Sequence, residues 1–381
     1  MASPESGVYG MLREWYERAL PELAPPCRKW LAKLVCALAE AGACTQPALA
    51  AALQRLGLSA ATNESLQVGI RRFLADRRVT VRAADAPLLR DVLAGWPADR
   101  LLLIADATAL KGRLVRLEVA LAYHGRAVPL AWAVYPADGI PAGQCWQGLF
   151  ERVLDRAAAV LPPGRAVLLL LDRGFVSPGV WDAALARGWH PVLRAQRGVR
   201  LRTRDGAERP VGELLGEDAG LVALAGQVFK KGGWRAASVT AVRADGTREA
   251  WLLLSDLPPG EQRAPEYAAR MHIEQGFRDD KSAGWQWERS RIKDPERAER
   301  LLLVLHLATL WCLSAGGWAV QTGQARRWVR PSRPAWSLFR IGWAGLRQAL
   351  RRPEPIPLHH RLPRVLTWPT PLLGTPVPCT A

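Results

Sequence analysis

Residues 101–135 read LLLIADATALKGRLVRLEVALAYHGRAVPLAWAVY, and the division of this stretch decides the architecture. Leu101 to Asp106 is a short apolar run closed by an acid. Val115 to Tyr123 alternates, with Val115, Leu117, Val119 and Leu121 on one face, as a half-buried strand requires. Ala127 to Tyr135 makes a third strand, and Tyr123-His-Gly-Arg126 supplies the hairpin turn between the last two.

Moving toward the C-terminus, a helix is expected over Ala142 to Leu161 and a buried strand over Ala166 to Leu171, which ends at Asp172. A helix near Ser177 to Arg187 and a strand at Pro191 to Ala195 follow. Three antiparallel strands, then helix, strand, helix and strand, is the order of an RNase H-like α/β domain, a mixed sheet flanked by helices. Strand-like pieces at Leu221 to Phe229, Ala236 to Arg243 and Glu249 to Ser255, cut by Asp-Gly and Gly-Gly turns, read as a β-rich insertion over about 198–257. Beyond it, Ala264 to Ala283 and Pro295 to Gly316 are expected helices. Residues 1–97 read as an all-helical DNA-binding domain, 98–323 as the central domain, and 324–381 as a basic Arg/Trp/Pro-rich region.

In the helical part, Gln46 to Leu56 and Asn63 to Asp76, broken at Gly57-Leu58-Ser59, have the layout of a helix-turn-helix, with Arg71, Arg72, Arg77 and Arg78 at its end. A small bundle with a solvated basic face fits the same residues. In the C-terminal region ten arginines between Arg326 and Arg364 face the single acid Glu354, interleaved with Trp328, Trp336, Trp343 and Trp368. That pattern suits a surface tracking a nucleic-acid backbone, or a solvated basic tail.

The charge of the whole chain agrees: 52 Lys plus Arg against 35 Asp plus Glu, a net +17, suits a polyphosphate partner. A membrane surface would satisfy the same field, and Leu301 to Val320 has the apolar length to span a bilayer. His306, Thr309, Ser314 and Gly316-Gly317 within it favour a core helix instead. The six cysteines show neither a C-x-x-C pair nor zinc-finger spacing, and Cys145 and Cys312 are expected in the core. A cytoplasmic, nucleoid-associated protein of bacterial origin is the expectation.

The chemistry centres on acids. Asp106 and Asp172 each close a buried strand, and two neighbouring carboxylates call for a cation between them, Mg²⁺ being the ion hard oxygen ligands prefer. The helix from Ala264 carries Tyr267-x2-Arg270-x3-Glu274-x6-Lys281, whose four side chains fall within a stripe about 60° wide. Asp279 and Asp280 point away from it, so Glu274 is the better third acid.

Tyr-x2-Arg-x3-Glu-x6-Lys is the signature of the DDE transposases of the insertion sequence four family, and this chain resembles them at every spacing. Asp172-Arg-Gly-Phe175 resembles the family's second-acid motif and Asp106-Ala-Thr108 its first. The resemblance covers about 98–320 and includes the insertion and the apolar helix after Glu274. It implies a DNA transposase in which Asp106, Asp172 and Glu274 hold two Mg²⁺ ions, Mn²⁺ substituting, to cut transposon ends and transfer the 3′-OH strand into target DNA. Alternatives are a metal nuclease of the same fold without strand transfer, or a transposase-derived protein that binds DNA without catalysis. Expected DNA contacts are Tyr267, Arg270, Lys281, Thr108, Lys111 and Arg173, with Lys230, Lys231 and Trp234 at a hairpin tip of the insertion. Pairing two ends implies a homodimer in a synaptic complex, with no membrane partner.

Overall fold

The computed structural model describes residues 7–94, 96, 98–216, 220–243, 249–329, 336–352 and 361–363. Five helices come first: α1 (Val8–Ala19), α2 (Pro25–Ala41), α3 (Gln46–Arg55), α4 (Asn63–Ala75) and α5 (Val81–Leu93). Then follow β1 (Arg100–Leu110), β2 (Leu114–Tyr123), β3 (Arg126–Pro136), α6 (Trp146–Ala158), β4 (Ala166–Leu171), α7 (Pro178–Leu185) and β5 (His190–Arg194). The insertion contributes β6 (Arg200–Arg202), β7 (Glu208–Pro210), β8 (Leu221–Val228), β9 (Arg235–Val242) and β10 (Trp251–Ser255). Last come α8 (Arg263–Ala268), α9 (Met271–Arg278), α10 (Pro295–Gln321), α11 (Ala325–Trp328) and α12 (Leu338–Arg351).

All ten strands form one sheet in the order β3-β2-β1-β4-β5-β10-β9-β8-β6-β7. β4 pairs parallel to both β1 and β5, and the other pairs are antiparallel. The first five strands therefore make the RNase H-like mixed sheet, and the insertion lengthens it at β5 through β10.

Strand alternation sorts the side chains into two cores. Leu103, Ala105, Leu169, Leu171 and Leu193 belong to the larger core shared with the N-terminal helices, α6 and α10. Ile104, Leu168, Leu170, Val192 and Leu253 pack instead with Tyr267, Ala269, Ile273 and Phe277 of the α8–α9 segment. One sheet face is thus reserved for the segment that carries Glu274.

The apolar α10 is capped by Asp294, whose carboxylate accepts from Arg297 N at 2.8 Å, and starts on Pro295. It is long and apolar enough to cross a membrane, yet 94% of its apolar window is buried inside the protein. A helix apolar on all sides needs cover on all sides, and α2, α4, α5, β3 and α12 supply it. Where α12 crosses α10, a Cβ on Gly316 would stand 2.0 Å from the Leu338 carbonyl oxygen and one on Gly342 1.8 Å from that of Cys312. Only glycines permit this approach.

The structure corrects several local expectations. Cys145 is exposed, and its sulfur caps α6 by accepting from Gly148 N at 3.4 Å. Trp343 is not displayed on the C-terminal region but donates from Nε1 to Ala39 O at 2.7 Å and meets the Trp285 ring. Trp328 lies against Gly345, and Trp336 packs on the small cluster of Ala319, Ala325 and Ile341. Arg330, Arg333, Arg364 and Trp368 lie outside the described residues. Arg71, Arg72, Arg77 and Arg78 are exposed near the end of α4, and Thr62 caps that helix.

Candidate active site

Asp106 does not close its strand as expected; β1 runs on to Leu110 against β2. What ends there is the parallel pairing. The last β1–β4 partners are Ala105 and Leu171, so Asp106 and Asp172 are the next residue on each strand, side by side where the two chains part. Asp106 shares strand parity with Ile104, and Asp172 with Leu168 and Leu170, which turns both toward the α8–α9 face.

The expected continuous helix over 264–283 is also corrected. It breaks at Ala269 and Arg270 between α8 and α9, and residues Asp279–Ala283 form a π-helical turn. The break leaves Arg270 four residues before Glu274 on one face. Its Nη1 donates to Glu274 Oε1 at 2.7 Å, and its Nη2 donates to Asp106 Oδ2 at 2.8 Å with Asp172 Oδ2 at 3.6 Å. Acids from β1, β4 and α9 thus converge on a single guanidinium.

Exposure grades across the cluster: side-chain values are 16% for Asp106, 34% for Asp172 and 44% for Glu274, against 10% for Arg270. Burial holds the Asp106 carboxyl above its ordinary range, and the nearby Asp172 and Glu274 push the same way. Arg270 and the Ala107 N–H, which donates to Asp106 Oδ1 at 2.8 Å, pull it back.

Lys281 donates from Nζ to Thr108 Oγ1 at 2.6 Å, so two of the expected phosphate contacts meet, half-buried, at the continuation of β1 beyond Asp106. The π turn that presents Lys281 is pinned from behind. Arg126 Nε donates to Asp279 Oδ2 at 2.7 Å, and Arg116 Nη1 donates to Asp280 Oδ2 at 2.7 Å. Arg116 is 1% exposed, lies over the Phe277 and Trp287 rings, and has Glu118 Oε2 at 3.3 Å and His306 Nε2 at 3.3 Å. Sequence reasoning missed this buried network. The signal was present in β2, where Arg116 and Glu118 interrupt an apolar strand on the face that pairs with Asp106.

The remaining expected contacts divide. Tyr267 is 4% exposed, sits edge-on to Trp251, and its hydroxyl has no partner among the described residues. Burial raises its pKa well beyond the ordinary value. Lys111 is exposed at a positive-φ turn between β1 and β2. Arg173 follows Asp172 directly and pairs with Glu249 at 2.9 Å. Lys230 pairs with Glu208 at 2.6 Å, Lys231 is exposed, and Trp234 is covered by the Arg202 guanidinium at 4.0 Å. The contacts of Lys230 and Trp234 lie within the insertion.

Among the described residues, no three His, Cys, Asp or Glu side chains stand at metal-ligating separation. The donor set nevertheless suits Mg²⁺ in kind: three carboxylates, all hard oxygen donors, aimed at one cationic position. The acids are spread because a guanidinium, wider than a bare ion, stands between them.

Comparison with known proteins gives one result of substance. Residues 97–311, more than half of the chain, match the family model described as "Transposase DDE domain". No curated protein matches the chain. The matched region begins just before β1, holds Asp106, Asp172, Glu274 and the π turn, and ends within α10.

Proposed function

We propose that this chain, which belongs to the transposase DDE-domain family, cuts DNA at the ends of a mobile element and joins the freed 3′-OH to target DNA, as a member of the insertion sequence four group. The observation that carries the reading is the convergence of Asp106, Asp172 and Glu274 on one cationic position, beside the half-buried pair of Thr108 and Lys281.

Asp106, Asp172 and Glu274 would hold two Mg²⁺ ions, or Mn²⁺ in their place, and metals at such a site activate the nucleophile and stabilise the leaving 3′ oxygen. Arg270 and Lys281, within reach of the same acids, orient the phosphodiester through its nonbridging oxygens. In the joining step the bond to the attacking 3′ oxygen forms as that to the leaving oxygen breaks. One phosphodiester is exchanged for another, so no nucleotide energy source is needed.

The N-terminal helices, with Arg71, Arg72, Arg77 and Arg78 exposed, and the basic C-terminal region are proposed to grip flanking DNA. Lys111, Arg173, Lys230, Lys231 and Trp234 would contact it more peripherally. Two protomers are expected on paired ends, in the cytoplasm with the nucleoid.

Purified protein with Mg²⁺ and the inverted repeats that flank its gene should nick and join those ends. Asp106→Asn, Asp172→Asn and Glu274→Gln should each lower both steps roughly a thousandfold or more while retaining gel-shift affinity. Cleavage without joined product would instead identify a nuclease. Unchanged cleavage by any one variant would refute the acid assignment.

A further inference from the structure

The acids of the site already hold a cation, and it belongs to the chain. Arg270 uses Nη1 for Glu274 and Nη2 for Asp106 and Asp172, at 2.7, 2.8 and 3.6 Å. A divalent ion bound by all three acids does not fit this arrangement. Ligands of Mg²⁺ at 2.0–2.1 Å stand about 3 Å apart in octahedral geometry, whereas among the described residues no three carboxylates stand at metal-ligating separation. The guanidinium and a divalent ion at the same position would also repel each other.

We propose that Arg270 is the resident counter-cation of the metal-free chain, keeping Asp106, Asp172 and Glu274 assembled, and that a divalent ion enters by exchanging with it. The inference rests on the reading of these acids as the metal site.

Arg270 lies between the short helices α8 and α9, and two further observations agree. Its Nε is buried with no partner among the described residues, so the guanidinium is not fully satisfied where it stands. Asp172 and Glu274, at 34% and 44% exposure, leave an approach for a hydrated ion from the solvent side. Exchange also explains how carboxylates from strands and a distant helix stay together before metal arrives, when their mutual repulsion would otherwise part them. Arg270 is then a positioning residue first, and its guanidinium is released toward substrate only when the ion takes over the acids.

The test is equilibrium Mn²⁺ binding to the full chain without DNA, read from the free-ion electron paramagnetic resonance signal, for wild type, Arg270→Gln, Arg270→Lys and Asp172→Asn. Arg270→Gln should bind Mn²⁺ about tenfold more tightly than wild type, and Arg270→Lys should lie between. In EDTA the thermal midpoint of Arg270→Gln should fall below that of wild type, and Mg²⁺ should restore it. If neither Arg270 variant binds Mn²⁺ more tightly than wild type while Asp172→Asn loses the ion, exchange is wrong and the metal site stands. If no protein binds Mn²⁺, or Asp172→Asn binds it as wild type does, the metal-site reading falls and exchange with it. Should Arg270→Gln fail to fold in EDTA, Arg270→Lys alone decides: affinity no higher than wild type overturns the proposal.

Discussion

Glu118 stands beside Asp106 in the β1–β2 ladder, nearly out of water, with the Arg116 guanidinium at 3.3 Å and the His306 ring at 3.5 Å. Burial, which outweighs the pull of Arg116, lifts its carboxyl from the usual 4.5 to about 7. A carboxyl with a raised folded-state pKa binds its proton more tightly when folded, so stability falls as pH rises between the two values and is level above the higher one. Wild type should therefore lose about 3 kcal/mol of unfolding free energy from this group between pH 4.5 and 7. Glu118→Gln should remove that part of the slope and be the more stable protein at pH 8, measured by urea unfolding at fixed ionic strength. An identical pH slope in the variant would refute the assignment. His306 does not add an opposing proton at neutral pH, because burial and Arg116 hold its imidazole well below the ordinary range. In the sequence, Arg116 and Glu118 look like outward positions of an amphipathic strand. They are buried because the segment carrying Glu274 covers that face, a fact that strand periodicity does not contain.

Among the elements, α9, its π turn and α10 decide whether the site exists. The i to i+4 relation of Arg270 to Glu274 is a local property of helix and is legible from spacing alone. The π turn is not, because it answers to Arg126 and Arg116 on the β2–β3 hairpin. A π turn commonly marks a functional position, and here it redirects the chain so that Asp279 and Asp280 reach inward while Lys281 reaches Thr108. Behind it, α10 is held by the glycine crossing with α12. Gly342→Val should cost about 3 kcal/mol, since its Cβ would collide with the Cys312 carbonyl rather than with a movable side chain. Chemical denaturation checks this; a loss below about 1 kcal/mol would mean the helices separate freely. The sequence shows the Gly316-Gly317 pair only as an interruption in an apolar run, and the crossing supplies its reason.

For the whole molecule, the N-terminal helices are fastened to α10, to the segment after the π turn and to α12. Arg300 of α10 donates to the Val79 and Leu74 carbonyls, Cys44 N donates to Trp285 O at 2.9 Å, and Arg351 pairs with Glu40 at 2.9 Å. Buried residues of α1 to α5 and of α10 belong to one hydrophobic cluster. A fragment starting at residue 98 would expose one flank of α10 and should lack a cooperative thermal transition or aggregate, monitored by circular dichroism and light scattering. A sharp transition near that of the full chain would show that α10 finds sufficient cover without them. The composition shift near residue 98 is plain in the sequence, but a change of texture says nothing about whether two segments share a core.

By itself the sequence determined the succession of strands and helices in the RNase H-like half and the apolar character of α10, and its spacing singled out Asp106, Asp172 and Glu274 as candidate acids. Each follows from short-range regularities: period two in strands, period 3.6 in helices, and fixed motif spacing. Tertiary structure alone decided that the acids meet on Arg270. Asp106 lies 164 residues from it, and their contact depends on where the parallel β1–β4 pairing ends, on the face α9 covers, and on the buried arginines that hold the π turn. Those are properties of register and packing, set by desolvation and by the pairing of buried charge, and no local pattern in the chain encodes them.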